Sequence, residues 1–317
     1  MSALPARLLA AVLAALGFGR RLCILTYHRV LPERDPLRPG EPSAADFDAQ
    51  LAVLRGAFNV LRLDEAVERL ETGRLPPRAV AITFDDGYRD NHDIALPILE
   101  RHGLRATFFV ATAYMHGGAM FNDMIIEAIR TSAVRELRLE GLSEPLPLDG
   151  VEARLRAIHT LLPLVKPMPL AERAERCREI AAALGAAPPA RLMMTPEEVR
   201  ALAARGMEIG AHTVHHPILS SLASEEAERE IADSRRELET LLGRSVAGFA
   251  YPNGRPGSDY ASEHVEMVRR AGFHYAVSTR WASVWPQTPH YELPRIAPWD
   301  RAPERFALRV ARGFAQR

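Results

Sequence analysis

The stretch "VAITFDDGYRDN", Val80 to Asn91, governs how the rest of the chain is read. Its branched and aromatic residues have the character of a strand buried on both faces. Yet the run ends in two adjacent carboxylates, Asp85 and Asp86, followed by Gly87, which admits a sharp turn. Side-by-side carboxylates at the edge of a core suffer mutual repulsion and desolvation unless something compensates. Alone, Asp-Asp-Gly is an ordinary turn sequence with solvated aspartates.

Other runs of the same kind begin near residues 22, 105, 207, 246 and 275, and helical patterns lie between them: "SAADFDAQLAVLRGAF", "LDEAVERLETG", "TPEEVRALAARG" and "SEEAEREIADSRRELETLLG". The threonine of the third stands at an N-cap, with proline in the first turn and glutamates behind it. Strands alternating with helices indicate an α/β fold, βα units around a mostly parallel sheet, open or closed. Residues from about 115 to 192 break the rhythm with helical patterns separated by Pro-rich pieces, and read as a helical insertion into a domain running from 21 to 317. Within it, Asn122 and Asp123 could reach over a site.

Of 317 residues, 47% are hydrophobic and 25% charged, enough for a sizeable core. Lys+Arg and Asp+Glu both total 40, so nothing favours a nucleic acid or another polyanion as partner. The positive charge is arginine apart from Lys166. Cys23 and Cys177 stand alone, outside metal-ligand spacing; this fits a reducing compartment and suggests a cytoplasmic protein. Residues 1–20 carry an apolar run after Arg7. It is too short to span a bilayer, and reads as an amphipathic helix that packs on the fold or makes peripheral membrane contact, with a cleaved export signal as the alternative.

The second chemical element is "EIGAHTVHHPIL", where a strand-like run ends in His212, Thr213, Val214, His215 and His216. If a helical turn follows the strand, His212 and His216 share a face and could chelate one ion. Such a pair alone is often incidental. Joined to the Asp pair, two imidazoles and one carboxylate meet zinc's preference for three nitrogen and oxygen ligands with a position left for water, while the neighbouring aspartate is free to accept a proton. A third element, "ILTYHRV", sets His28 at the end of the first strand, where it could serve as general acid. A fourth, "FAYPNGRPG", ends a strand in a turn whose N–H groups could face an oxyanion. Tyr88 and Asn91 could contact substrate or merely cap the next helix, and Trp281, Trp285 and Trp299 could offer a sugar-stacking face, with core packing the default for each.

In "TFDDG" (83–87), "ATFFV" (106–110) and "HTVHHP" (212–217) the chain resembles the polysaccharide deacetylases of carbohydrate esterase family four. The resemblance implies a distorted (β/α) barrel with fewer than eight strands, acting as a metal-dependent hydrolase on an N-acetylated carbohydrate. It implies Asp85 as catalytic base, Asp86, His212 and His216 as metal ligands, and His215 as no ligand. The metal would be Zn2+, with Co2+, Ni2+ or Fe2+ compatible with the same ligands.

Where many members carry F-R-P-P-Y-G, this chain has Phe249, Ala250, Tyr251, Pro252, Asn253 and Gly254. Asn253, with Tyr251, falls at the oxyanion and substrate position. The arginine is missing, and Arg295 is the candidate to orient Asp85 in its stead. The late Leu-x-His motif is also absent; His28 then takes the acid role, as in a branch with an early Tyr-His. Hydrolysis of an O-acetyl ester or a cyclic imide, and non-catalytic sugar binding, are the alternative functions.

Overall fold

The computed structural model describes residues 21–187 and 189–316, so the apolar segment expected as an N-terminal helix lies outside the described residues. The described residues divide into two compact units, one of 21–34, 40–116 and 194–316, the other of 35–39, 117–187 and 189–193.

The first unit is built on a mostly parallel, seven-stranded sheet. Its strands are β1 (Leu22–Tyr27), β2 (Asn59–Leu61), β3 (Ala79–Phe84), β4 (Thr107–Val110), β7 (Glu208–Ala211), β8 (Gly248–Ala250) and β9 (Tyr275–Val277). The order is β1-β3-β4-β7-β8-β9, with β2 paired to the first half of β3. Between β9 and β1 runs an irregular segment. Leu293 bridges Val277 on one side and Ile296 bridges Leu25 on the other, so residues 293–296 join the two ends of the curled sheet. Helices α1 (Ala44–Ala57), α2 (Leu63–Glu71), α3 (Leu96–His102), α7 (Pro196–Ala204), α8 (Ser224–Leu242), α9 (Ser262–Arg270) and α10 (Pro303–Gly313) flank it.

Period-two alternation divides each strand between two cores. Cys23, Leu25, Val80, Ile82, Phe84 and Phe108 pack with the outer helices. Leu22, Ile24, Ala79, Ala81, Phe109 and Val277 face inward, where α2 contributes Leu63, Ala66, Val67 and Leu70. The interior is tight: a Cβ on Gly210 would stand 2.4 Å from the Phe109 ring. Local chemistry sets the helix starts. The hydroxyl of Thr195 accepts from the Glu198 N–H, and the Glu198 carboxylate accepts from the Thr195 N–H, which satisfies two donors at the start of α7.

The second unit packs α4 (Phe121–Thr131), α5 (Gly150–Val165) and α6 (Leu170–Ala183) beside a short antiparallel pair, β5 (Glu136–Leu137) and β6 (Leu146–Pro147). Ile125, Ile129, Ile158, Leu161 and Ile180 form its core. Arg154 caps α4 by donating to the carbonyls of Ile129, Arg130 and Ser132. No described helix in either unit is long and apolar enough to cross a membrane.

Candidate active site

The inner face of β3 reads Ala79, Ala81, Thr83 and then, one step past the strand, Asp85, so alternation alone carries Asp85 into the upper mouth of the sheet. There it meets Arg295, whose two terminal nitrogens donate to the two carboxylate oxygens at 2.7 and 2.6 Å. The fork is itself fixed. Arg295 Nε donates to the Ser278 carbonyl, and its Nη1 to the Thr83 hydroxyl. Burial pushes the Asp85 pKa up, but the Arg295 guanidinium and the His212 imidazole pull it further down, so the carboxyl is held below its ordinary value. Asp85 is thus an ionised, aimed carboxylate.

Asp86 would fall on the outer face by simple alternation. Instead it adopts a left-handed φ of 77°, followed by Gly87 at 89°, and the chain turns over the rim. Thr213 (φ 62°), His216 (54°) and Asn253 (61°) are also left-handed. Such a conformation costs a non-glycine residue about 1–2 kcal/mol. Among the described residues the only other example is Arg78. Strain is therefore concentrated at this rim.

The turn brings Asp86 to the histidines. Its Oδ1 lies 3.4 Å from His212 Nε2 and 3.5 Å from His216 Nε2, and the two imidazole centroids are 4.7 Å apart. His212 Nδ1 is 2.7 Å from the Ala250 carbonyl, which can only accept. The neutral ring therefore carries its proton on Nδ1 and leaves the Nε2 lone pair free. Asp86 Oδ1 is buried without a hydrogen-bond partner. An orphaned carboxylate oxygen, an imidazole whose tautomer is fixed by a carbonyl, and ligand atoms mutually within 4.8 Å make Asp86, His212 and His216 a donor set able to hold a divalent ion. His92, Asp93 and Glu198 also cluster, but Arg89 already sits on Asp93, 2.8 Å away.

Several supporting groups are not apparent from the motifs. Glu230 on α8 accepts from the N–H groups of Val214 and His215 and pairs with His215 Nδ1, fixing the histidine loop and turning His215 outward. Thr112 and Ala113 donate backbone hydrogen bonds to Thr213 and Val214, tying the end of β4 to the same loop. Below His28, the Asn91 amide donates to the His28 carbonyl, and Asp90 accepts from Val30 N–H and Arg29. Glu230 left a legible trace: it falls among Ala227, Ile231, Ser234 and Leu238 on the buried face of α8, where a carboxylate needs a reason.

The remaining expected residues divide. His28 is exposed at the end of β1. The protein around it lowers its pKa, but the carboxylates of Asp86, Asp85 and Glu41 outweigh this, and the net shift is upward. The Asn253 N–H donates to no acceptor among the described residues, and the following Gly254 (φ 71°) is packed on Thr279. Tyr88 and Tyr251, expected at substrate, have rings only 1% exposed. The Arg29 guanidinium lies 4.5 Å from the Tyr88 centroid, and Tyr251 stacks on Tyr260 at 3.8 Å, so packing claims both rings. Asp123, considered for the site, is fully buried in the second unit and accepts from Arg38.

A curled parallel sheet with its polar residues gathered at the carboxyl ends of the strands defines a site of the (β/α)-barrel type. The chain belongs to the polysaccharide deacetylase family, whose model matches residues 72–144 and 168–276. It is 22% identical over 278 residues to the putative polysaccharide deacetylase YxkH of Bacillus subtilis, covering 87% of this chain and 71% of that protein. Among solved structures, the Streptococcus pyogenes deacetylase PplD matches with a TM-score of 0.62 and 19% identity, over 92% of this chain and 98% of that one. IcaB from Ammonifex degensii matches with a TM-score of 0.58 and 20% identity, over 92% and 97%. Likeness at these identities is one of fold.

Proposed function

We propose that this chain is a metal-dependent hydrolase that removes N-acetyl groups from an amino-sugar-containing glycan or glycan precursor. The observation that carries the reading is the pairing of an orphaned Asp86 oxygen with His212 and His216 beside a second carboxylate, Asp85, held ionised by Arg295. A divalent ion held by Asp86, His212 and His216, Zn2+ by ligand type with Co2+, Ni2+ or Fe2+ as substitutes, would polarise the acetyl carbonyl and acidify water there.

The protein's own groups supply the rest. Asp85 accepts a proton from the attacking water, and Arg295 keeps both carboxylate oxygens in line for it. The Asn253 N–H, without a competing acceptor, is a donor available to the oxyanion that forms from the carbonyl. His28, at the end of β1 beside Asp85 and Asp86, delivers a proton to the amine nitrogen, which would otherwise depart as a poor anionic leaving group.

The test is acetate release from N-acetylglucosamine oligomers and from O-acetylated sugars, with metal content measured on the same preparation. Release from the N-acetyl substrates, abolished by chelation and restored by Zn2+, is expected. Activity indifferent to chelation, or confined to esters, overturns the proposal. His28→Gln should lower kcat about 10²–10⁴-fold with metal content unchanged, the usual worth of a general acid.

A further inference from the structure

On the outer side of the first unit, Trp281 and Trp299 are 37% and 64% exposed, unusual for residues of this size. Their ring centroids lie 5.8 Å apart at an interplanar angle of 37°. The Arg309 guanidinium sits 5.5 and 5.3 Å from the two centroids and is paired with Asp300. A flat sugar-stacking platform needs open, near-coplanar faces. Here the rings are tilted and the cation occupies part of the space over both, so the pair offers exposed aromatic surface without a flat platform.

Arg309 lies on α10, whose buried side is Phe306, Ala307, Val310 and Ala311. Its other side presents Arg305 and Arg312, both exposed and neither in an ion pair with any described residue, beside Glu304. Three arginines (305, 309, 312) against two acids (Asp300, Glu304) leave this surface with a net positive charge of one, on a chain whose total is zero.

The third observation is the point where the remaining chain joins. Arg21 donates to the carbonyl of Phe314, the residue that ends α10, at 2.7 Å. Arg21 is thereby held beside the basic helix, and a run without charge, 8–19, precedes it in the sequence.

We propose that this face docks on an anionic lipid surface. Exposed indoles suit the headgroup region, unpaired arginines are attracted to negative headgroups, and an apolar segment too short to span a bilayer can bury its apolar side in the boundary. The surface goes beyond the deacetylase reading and does not depend on it.

The test is sedimentation of the full chain with vesicles of phosphatidylcholine, with and without phosphatidylglycerol. Binding to the phosphatidylglycerol vesicles should weaken about fivefold for each of Arg305→Gln and Arg312→Gln, and should fall with added salt. Trp299→Ala should weaken binding to both kinds of vesicle. Thermal unfolding midpoints of the variants should match the parent, since the altered side chains are exposed. Three results would each overturn the proposal: no vesicle binding; binding indifferent to both arginines and to Trp299, in which case the N-terminal segment acts alone; or Trp299→Ala weakening the binding of N-acetylglucosamine oligomers while vesicle binding is unchanged, which would make the pair a glycan platform.

Discussion

One face of β7 carries Glu208 at its lower end, Gly210 in the middle and, a step beyond the strand, His212 at the top, and the two ends treat buried polar groups in opposite ways. Glu208 is bonded at both oxygens: Oε2 accepts from the Thr107 hydroxyl at 2.6 Å and the Asp64 N–H at 3.1 Å, and Oε1 accepts from the Tyr275 hydroxyl. None of these residues has a left-handed backbone. At the top, Asp86 keeps an oxygen without a partner, and four non-glycine residues are strained. A buried carboxylate with both oxygens bonded stabilises a fold; one left short of partners in a strained turn is held for something else.

The largest effect that would sharpen this contrast is expected from His212→Ala, which should abolish both metal retention and acetate release. A variant that kept its metal would make the upper end as purely structural as the lower. Asp85→Asn should lower kcat about 10²–10⁴-fold, the range for a lost general base, while metal content stays at the parent level. Arg295→Lys replaces a bidentate fork with a point charge. A charge-assisted hydrogen bond is worth about 1.5–3 kcal/mol, so kcat should fall about 10- to 100-fold with KM little changed. Unaltered kcat would show that Asp85 needs no orienting partner.

The smallest effect on turnover, and the one that probes the lower end, is expected from Glu208→Gln. Burial, and secondarily the charge of Asp64, raises the Glu208 pKa from its ordinary 4.5 to about 7. A carboxyl whose pKa is higher folded than unfolded keeps its proton in the native state through that window. Stability should therefore decline as pH rises from about 4.5 to about 7 and then level off. In Glu208→Gln this slope should shrink, as read from urea midpoints at about pH 5 and about pH 8, with kcat unaffected. A variant with the parent's slope would assign the pH dependence to another group.

The strands were legible because each is a short run of branched and aromatic residues buried on both faces. The runs expected near 22, 79, 105, 207, 246 and 275 coincide with β1, β3, β4, β7, β8 and β9. β2 escaped notice, since three half-buried residues give no pattern. The segment at 293–296 escaped because single bridges demand no alternation. Motifs located Asp85, Asp86, His212 and His216, but not the left-handed turn that swings Asp86 off the outer face. Arg295 could be nominated only by residue type, because it meets Asp85 across 210 positions of sequence. Tyr88 and Tyr251 were misjudged for a simple reason: adjacency to a motif does not say which way a ring points.

The seam at 293–296 has a dynamic consequence. Its amides are held by single hydrogen bonds to Ile24, Ala276 and Arg280 rather than by a continuous ladder, so the closure of the sheet rests on a few bonds and on the burial of Leu293 and Ile296. Arg295 rides on this joint. Any excursion that parted the seam would also withdraw the guanidinium from Asp85, so the aim of that carboxylate depends on how the sheet is closed.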